Sequence, residues 1–380
     1  MKFTSKLPGV GTTIFTLMSR LAKKHGAINL SQGFPDFSSS PRLIDLVEKY
    51  MREGYNQYAP MTGVPKLRLE LARKMEALYG ISIDPESEIT ITAGATQAIF
   101  TAISAFVGEG DEVILLEPAY DSYLPSVKVA GGKPVLYELE PPHYKPDWNA
   151  LSELISDKTR MIIINTPHNP TGTVWTAADM EALSGIVAGT DILVLSDEVY
   201  EHLVFDGNAH QSVCRYPGLY ERSMAVYSFG KTFHNTGWKV GYCAAPSHLS
   251  AEFRKVHQFN VFSVNTPVQY ALAEYLEDPD YYLELPGFFQ KKRDTFLQFM
   301  EGSRLHPLKC EGTYFHLFSY RDISEEPDRD FVIRMTREYG VAAIPVSAFY
   351  ESGRDERVIR LCFAKKEETL REAGKLLSRI

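Results

Sequence analysis

Residues 228–239 read SFGKTFHNTGWK. The letters GKT close a nucleotide-binding P-loop, whose lysine touches phosphate. A lysine at the end of an apolar strand can instead do covalent chemistry, and the two readings belong to different folds. A P-loop needs glycine six residues before its lysine. Position 225 is Ala, so the motif fails. The run ILVLSDE (192–198) looks like the acidic strand of a P-loop protein, but it precedes GKT instead of following it. The nearest approach to a dinucleotide fingerprint, GVGTTI (9–14), lacks its third glycine and a preceding strand. Nothing matches G-x-S-x-G or H-E-x-x-H.

Around this stretch the chain alternates short β-rich runs with helical patterns. The runs are EITITA (88–93), DEVILLE (111–117), KPVLYEL (133–139), RMIIIN (160–165), DILVLSD (191–197), SMAVYS (223–228) and KVGYCAA (239–245). The middle ones are continuously apolar, as strands covered on both faces are. TQAIFTAISAFV and AADMEALSGIVA lie between them with helical spacing. This pattern predicts an α/β fold built on a mostly parallel, seven-stranded sheet. VNTPVQYALAEYLE and a long polar helix pattern around 280–303 lead out of it. Strand-like YFHLFSY, helix-like DFVIRMTREYG, strand-like VIRLCF and a last charged helix predict a smaller α+β domain. The expected division is an N-terminal arm at 1–45 that joins the small domain, a large domain at 46–280 and the small domain at 281–380.

The chain has 380 residues, 44% hydrophobic, with a net charge of −8. That size suits two domains. The acidic balance argues against nucleic acid as a partner. Four scattered cysteines have neither metal nor disulfide-framework spacing and read as reduced thiols of a cytoplasmic protein. No metal site is expected, and no apolar run approaches a membrane span. Thr12 to His25 has helical periodicity and no acidic residue. It runs without a spacer into SQGFPDF, which reads as a packed N-terminal helix and not as a transit peptide.

Ligands of α/β proteins bind at the C-terminal ends of the strands. ITITA ends in Gly94, Ala95 and Thr96, whose backbone N–H groups would open a helix and face an anion. RMIIIN leads to Asn169 in TPHNPTG, DILVLS to Asp197 with Tyr200 three residues on, and SMAVYSF to Gly230-Lys231. An anion nest, an amide, a carboxylate, a phenol and a lysine suit a phosphorylated aldehyde with a ring nitrogen better than a nucleotide.

TPHNPTG, SDEVYEH and SFGKTFHNTGWKVGY, in this order, resemble the class I aminotransferases of fold type I, which use pyridoxal 5'-phosphate. The resemblance runs from SQGFPDF through NQYAPMTGVPKLR and EPAYDSY to VIRLCFAKK. It is nearest to the bacterial methionine aminotransferases and the kynurenine/glutamine aminotransferase group.

The resemblance implies a role for each residue. Lys231 would form the Schiff base and then serve as general base. Asp197 would keep the pyridine nitrogen protonated, because an opposite charge at contact favours the charged form. Tyr200 and Asn169 would donate to the ring's phenolic oxygen. Tyr120 would stack on the ring. Ala95, Thr96, Ser228 and Lys239 would hold the phosphate, and Tyr58 would reach the phosphate of a neighbouring subunit. Arg360, a lone arginine in the apolar strand VIRLCF, would clamp the substrate α-carboxylate bidentately. Gly33 would allow close backbone approach to that carboxylate. Phe15 would line the side-chain pocket, also across subunits.

The expected activity is ping-pong transamination from methionine, with aromatic amino acids or histidine as further donors, in a homodimer with shared active sites. A β-lyase of the same fold, a kynurenine/glutamine-type transaminase and a non-enzymatic binding relative are the alternatives. Release of pyruvate and ammonia from a β-substituted alanine separates the lyase.

Overall fold

The computed structural model describes residues 4–380. Its large sheet holds seven strands, β1 (Ile89–Thr92), β2 (Glu112–Glu117), β3 (Lys133–Glu138), β4 (Thr159–Asn165), β5 (Leu193–Asp197), β6 (Ser223–Ser228) and β7 (Gly241–Ala244). They lie in the order β1-β7-β6-β5-β4-β2-β3, and only β7 runs antiparallel to its neighbours. The apolar residues of β4, β5 and β6 are buried on both faces, as helices on each side of a parallel sheet require. Edge strand β3 stays half exposed.

Register sets the site. Asn165 pairs with Asp197 and Asp197 with Val226, so β4, β5 and β6 end at nearly one level. Gly241 of β7 pairs with both Thr92 and Ser228. A Cβ there would stand 2.4 Å from the Tyr227 carbonyl oxygen and 3.2 Å from Ala95 N. Glycine at 241 therefore lets the ends of β1 and β6 close around one spot.

A second, antiparallel sheet contains β8 (Phe315–Ser319) and β9 (Val358–Cys362), flanked by Ile344–Pro345 and His306–Pro307. The N-terminal segment is stitched to this part of the chain, because Ile28–Asn29 pairs in parallel with Val341–Ala342. Helix α1 (Ile14–His25) begins with Thr13 capping Thr16 N and ends at Gly26 in the left-handed region, φ 61°. Its apolar stripe buries Met18 and Ala22.

Three elements differ from the sequence pattern. The polar pattern around 280–303 is two helices, Asp280–Leu283 and Leu285–Phe299, because Pro286 opens a new first turn. The helix Asp328–Arg334 widens into a π turn over Met335–Tyr339 before Gly340. The strand read from Lys239 starts only at Gly241, since Lys239 itself is left-handed, φ 55°. Among the described residues, the four cysteines are free and buried, no cluster has metal-ligand geometry, and no helix is long and apolar enough to cross a membrane.

Candidate active site

A cavity of about 260 Å³ opens where β4, β5 and β6 end. Gly33, Gly94, Ala95, Thr96, Tyr120, Asn169, Asp197, Tyr200, Ser228, Lys231, Lys239, Arg360 and Phe15 all line it. These residues are scattered from the N-terminal arm to the last strand, and the fold brings them to one place.

Lys231 sits in the single turn Phe229–Thr232 directly after β6. Its Nζ donates to the Tyr314 hydroxyl oxygen at 2.9 Å and to the Gly33 carbonyl at 3.2 Å. Burial lowers its pKa to about 8, with Arg360 and Lys239 pushing the same way and Cys362 and Asp197 opposing. About a tenth of the amine is therefore neutral, and nucleophilic, at pH 7, and about half at pH 8, far more than for an ordinary lysine.

Asp197 ends β5 and is 4% exposed. Tyr123 donates to its Oδ2 at 2.6 Å, and Val199 N approaches Oδ1 at 3.3 Å. Burial raises its pKa to about 6 despite these donors. Asn165 Nδ2 holds the Asp197 carbonyl at 2.8 Å. The turn that follows is anchored from behind. Glu198 accepts from Ser196, Val213 N and Tyr227, and Glu201 pairs with Lys74 at 2.5 Å. Within SDEVYEH, Asp197, Val199 and Tyr200 thus face the cavity, and Ser196, Glu198, Glu201 and His202 face the scaffold.

The opposite end of the cavity could hold an anion. Helix α2 (Ala95–Phe106) starts at Gly94, φ 84°, with no side-chain cap. Its first N–H groups are therefore free for a ligand. Lys239 stands beside them, its Nζ 3.4 Å from where a Gly94 Cβ would lie. Ser228 lines the same end, and Thr96 Oγ1 meets the Tyr120 hydroxyl at 3.4 Å.

Arg360 is 1% exposed. Nη1 donates to Asn169 Oδ1 at 2.6 Å and Nη2 to the Ser31 carbonyl at 3.2 Å, while Nε has no partner. No carboxylate pairs with it among the described residues. Burial lowers its pKa to about 10. The guanidinium lies over the Phe315 ring at 3.7 Å, with Phe349 and Phe15 further out. A buried cation held by neutral acceptors and aromatic faces is left short of one anion.

The sequence agrees with this geometry when set beside known proteins. The profile of the family "Aminotransferase class I and II" matches residues 25–377. The chain belongs to that family. The aminotransferase is 53% identical to the methionine aminotransferase of Escherichia coli (strain K12), over 99% of this chain and 98% of that one. It is 36% identical to human kynurenine–oxoglutarate transaminase 3, over 99% and 90% of the two chains. A crystal structure from Escherichia coli, whose reactivity identifies a methionine aminotransferase function, superposes with a TM-score of 0.98 at 52% identity and full coverage of both chains. Members of the family use pyridoxal phosphate, and the donor set fits that group. Free N–H groups and Lys239 suit its phosphate, buried Asp197 a cationic ring nitrogen, and Lys231 an aldehyde. Asn169 Nδ2, free of protein partners among the described residues, suits a ring oxygen.

Two residues are expected to act across subunits. Tyr58 is 80% exposed, edge-on to Phe262, and does not line this cavity. Phe15 lines the cavity of its own chain. The reason is local: Gln32 Nε2 ties α1 down through the Phe15 carbonyl at 2.9 Å and Ser19 Oγ at 2.6 Å. Sequence reasoning missed Tyr123, Asn165, Phe315 and Tyr314 of the aminotransferase. Tyr123 and Asn165 sit in stretches already singled out, EPAYDSY and RMIIIN. Phe315 and Tyr314 lie in an ordinary-looking apolar strand with no local signal.

Proposed function

We propose that this aminotransferase moves the amino group of methionine to a 2-oxo acid in two half-reactions at one site, with aromatic amino acids and histidine as further donors. Pyridoxal 5'-phosphate would be held by Lys231, Asp197, Asn169, Tyr200, Tyr120 and the Gly94–Thr96 turn with Ser228 and Lys239. The observation that carries this reading is the placement of the Lys231 amine in one cavity with a buried carboxylate and a buried guanidinium that lacks a carboxylate partner. When bound, pyridoxal phosphate supplies an electron sink for the substrate α-carbon.

The chain's own residues do the rest. Arg360 takes the α-carboxylate in a forked contact and fixes the substrate's orientation. The Lys231 amine, neutral in good part near its pKa of about 8, accepts the proton from the α-carbon and returns it on the other side of the transfer. Asp197 keeps a positive charge favourable at the ring nitrogen. Phe15, Phe315 and Phe349 surround the guanidinium and exclude water from its ion pair. The methionine assignment rests on the 53% identical relative and on the apolar face of Phe15. A homodimer would bring Tyr58 of one subunit to the phosphate end of the other.

The test is an absorption spectrum of purified protein with pyridoxal phosphate, before and after methionine, beside Lys231→Ala. The wild type should gain a lysine-linked band that methionine bleaches, and the variant should not. A band insensitive to methionine removes the substrate assignment; no band removes the cofactor assignment. Greater specific activity with aspartate than with methionine also overturns the substrate reading.

A further inference from the structure

Tyr314 precedes β8 and is fully buried. Its hydroxyl donates its single proton to the Gly33 carbonyl at 2.6 Å. Toward Lys231, 2.9 Å away, the same oxygen can only accept. Lys231 Nζ also donates to Gly33 O at 3.2 Å. Lysine, tyrosine hydroxyl and carbonyl thus form a closed triangle. A neutral amine has two N–H bonds and one lone pair. With both N–H bonds committed to Tyr314 and Gly33, the lone pair has to point away from them.

The triangle belongs to the same framework as the carboxylate clamp. Phe363 N donates to the Tyr314 carbonyl at 3.0 Å, continuing the ladder in which Phe315 faces Cys362 and Leu317 faces Arg360. On the other side, Ser31 O accepts from Arg360 and Gly33 O accepts from Lys231. One turn of the N-terminal arm and one pair of strands therefore hold both the guanidinium and the amine. The Tyr314 ring is pinned edge-on by Tyr200, centroids 5.1 Å apart, so its hydroxyl has little freedom to swing.

We propose that Tyr314 is a positioning residue for the reaction: with Gly33 it forms a parking cradle that receives the released Lys231 amine and aims its lone pair at the substrate. This rests on the transaminase reading above. Without the cradle the amine of a long, flexible side chain would sample many rotamers, and the proton transfer would lose alignment. The cradle also acts on ionisation. Two acceptors favour the ammonium form, so removing one lowers the lysine pKa. The other groups facing Nζ are Tyr200, Cys362, Arg360, Asp197 and Lys239, and Tyr314→Phe leaves them in place.

The experiment uses Tyr314→Phe, which deletes only the hydroxyl. First, stopped-flow absorption follows capture of pyridoxal phosphate by the apoprotein across pH; the rate tracks the neutral amine. The midpoint should lie near 8 in the wild type and fall by about half a unit to one unit in the variant. Second, a single turnover of the loaded enzyme with methionine should slow about ten-fold while the half-saturating concentration stays within about three-fold. Both changes are required, and the absence of either overturns the proposal. If Tyr314→Phe does not fold, 3,5-difluorotyrosine at 314 replaces it. That side chain keeps the hydroxyl but makes its oxygen a weaker acceptor, so the midpoint should move the same way by less; an unmoved midpoint again overturns the proposal. A wild type that captures the cofactor but turns over no amino acid defeats the transaminase reading instead.

Discussion

The Tyr123 hydroxyl donates to Asp197 Oδ2 at 2.6 Å, and both groups are buried. Burial drives the carboxyl up, and this hydrogen bond, with Val199 N and the charge of Lys231, holds it at about 6. Tyr123→Phe should raise it further, so less of the carboxylate is ionised to meet a ring cation. A hydrogen bond to a charged group contributes about 1.5–3 kcal/mol. Apparent affinity for pyridoxal phosphate should therefore fall about ten-fold or more, and most steeply below neutral pH. Titrating the apoprotein between pH 5 and 8 measures it; equal loss at every pH would remove the electrostatic explanation.

Asp197 also works against the stability of the apoprotein. Its pKa is raised from 3.8 to about 6 in the folded state. Between those values the folded state binds more protons than the unfolded one, so stability falls as pH rises through the window and the cost is complete above it. Asp197→Asn removes an uncompensated buried charge. At pH 8 the apo variant should be more stable than the wild type by about 3 kcal/mol, with the gain vanishing near pH 4. Asp328, also raised to about 6, contributes the same slope to both proteins and cancels in the difference. Denaturant melts of both proteins at the two pH values decide it.

Much of this was legible in the sequence because the chemistry sits at strand ends. An apolar run followed at once by Asp197 or Lys231 is a local signal, and parallel topology brings such ends together. Gly94 read correctly because a helix opens directly after it. Tyr314 and Phe315 were not legible, because their partners, Lys231, Gly33 and Arg360, are far away in the chain. The left-handed turn at Lys239 was hidden for another reason: a lysine carries no propensity for positive φ, and only packing enforces it.

Gly33 shows how tight the arm is. A Cβ at this position would stand 2.5 Å from Phe315 Cζ, and that ring is pinned beneath Arg360. Gly33→Ala should displace the ring and tilt the guanidinium. Overpacking of this kind costs about 1–3 kcal/mol. The expected outcome is a lowered Tm together with a raised KM for amino acids, and cofactor affinity nearly unchanged. A lowered Tm with an unchanged KM would show that the arm and the clamp move independently.

Lys239 is expected to act through the phosphate alone. Lys239→Ala should weaken pyridoxal phosphate about ten-fold to a hundred-fold, in the range of one charge-assisted contact. Binding of pyridoxal, which lacks the phosphate, should hardly change. The ratio of the two dissociation constants, measured by absorption titration, is the readout. Parallel losses for both ligands would place Lys239 in the scaffold of the turn.

Tyr58 bears on whether one chain suffices. It is exposed edge-on to Phe262, which is 52% exposed, so two large aromatic residues face outward together. Such a patch suits burial against a second copy of the chain. If Tyr58 completes the neighbour's phosphate end, Tyr58→Ala and Lys231→Ala should complement each other. In a mixed dimer one site carries both defects and the other carries neither. Refolding equal amounts together should restore up to about a quarter of wild-type activity, the random-pairing share of intact sites. Activity equal to the average of the two separate variants would mean that Tyr58 acts within its own chain.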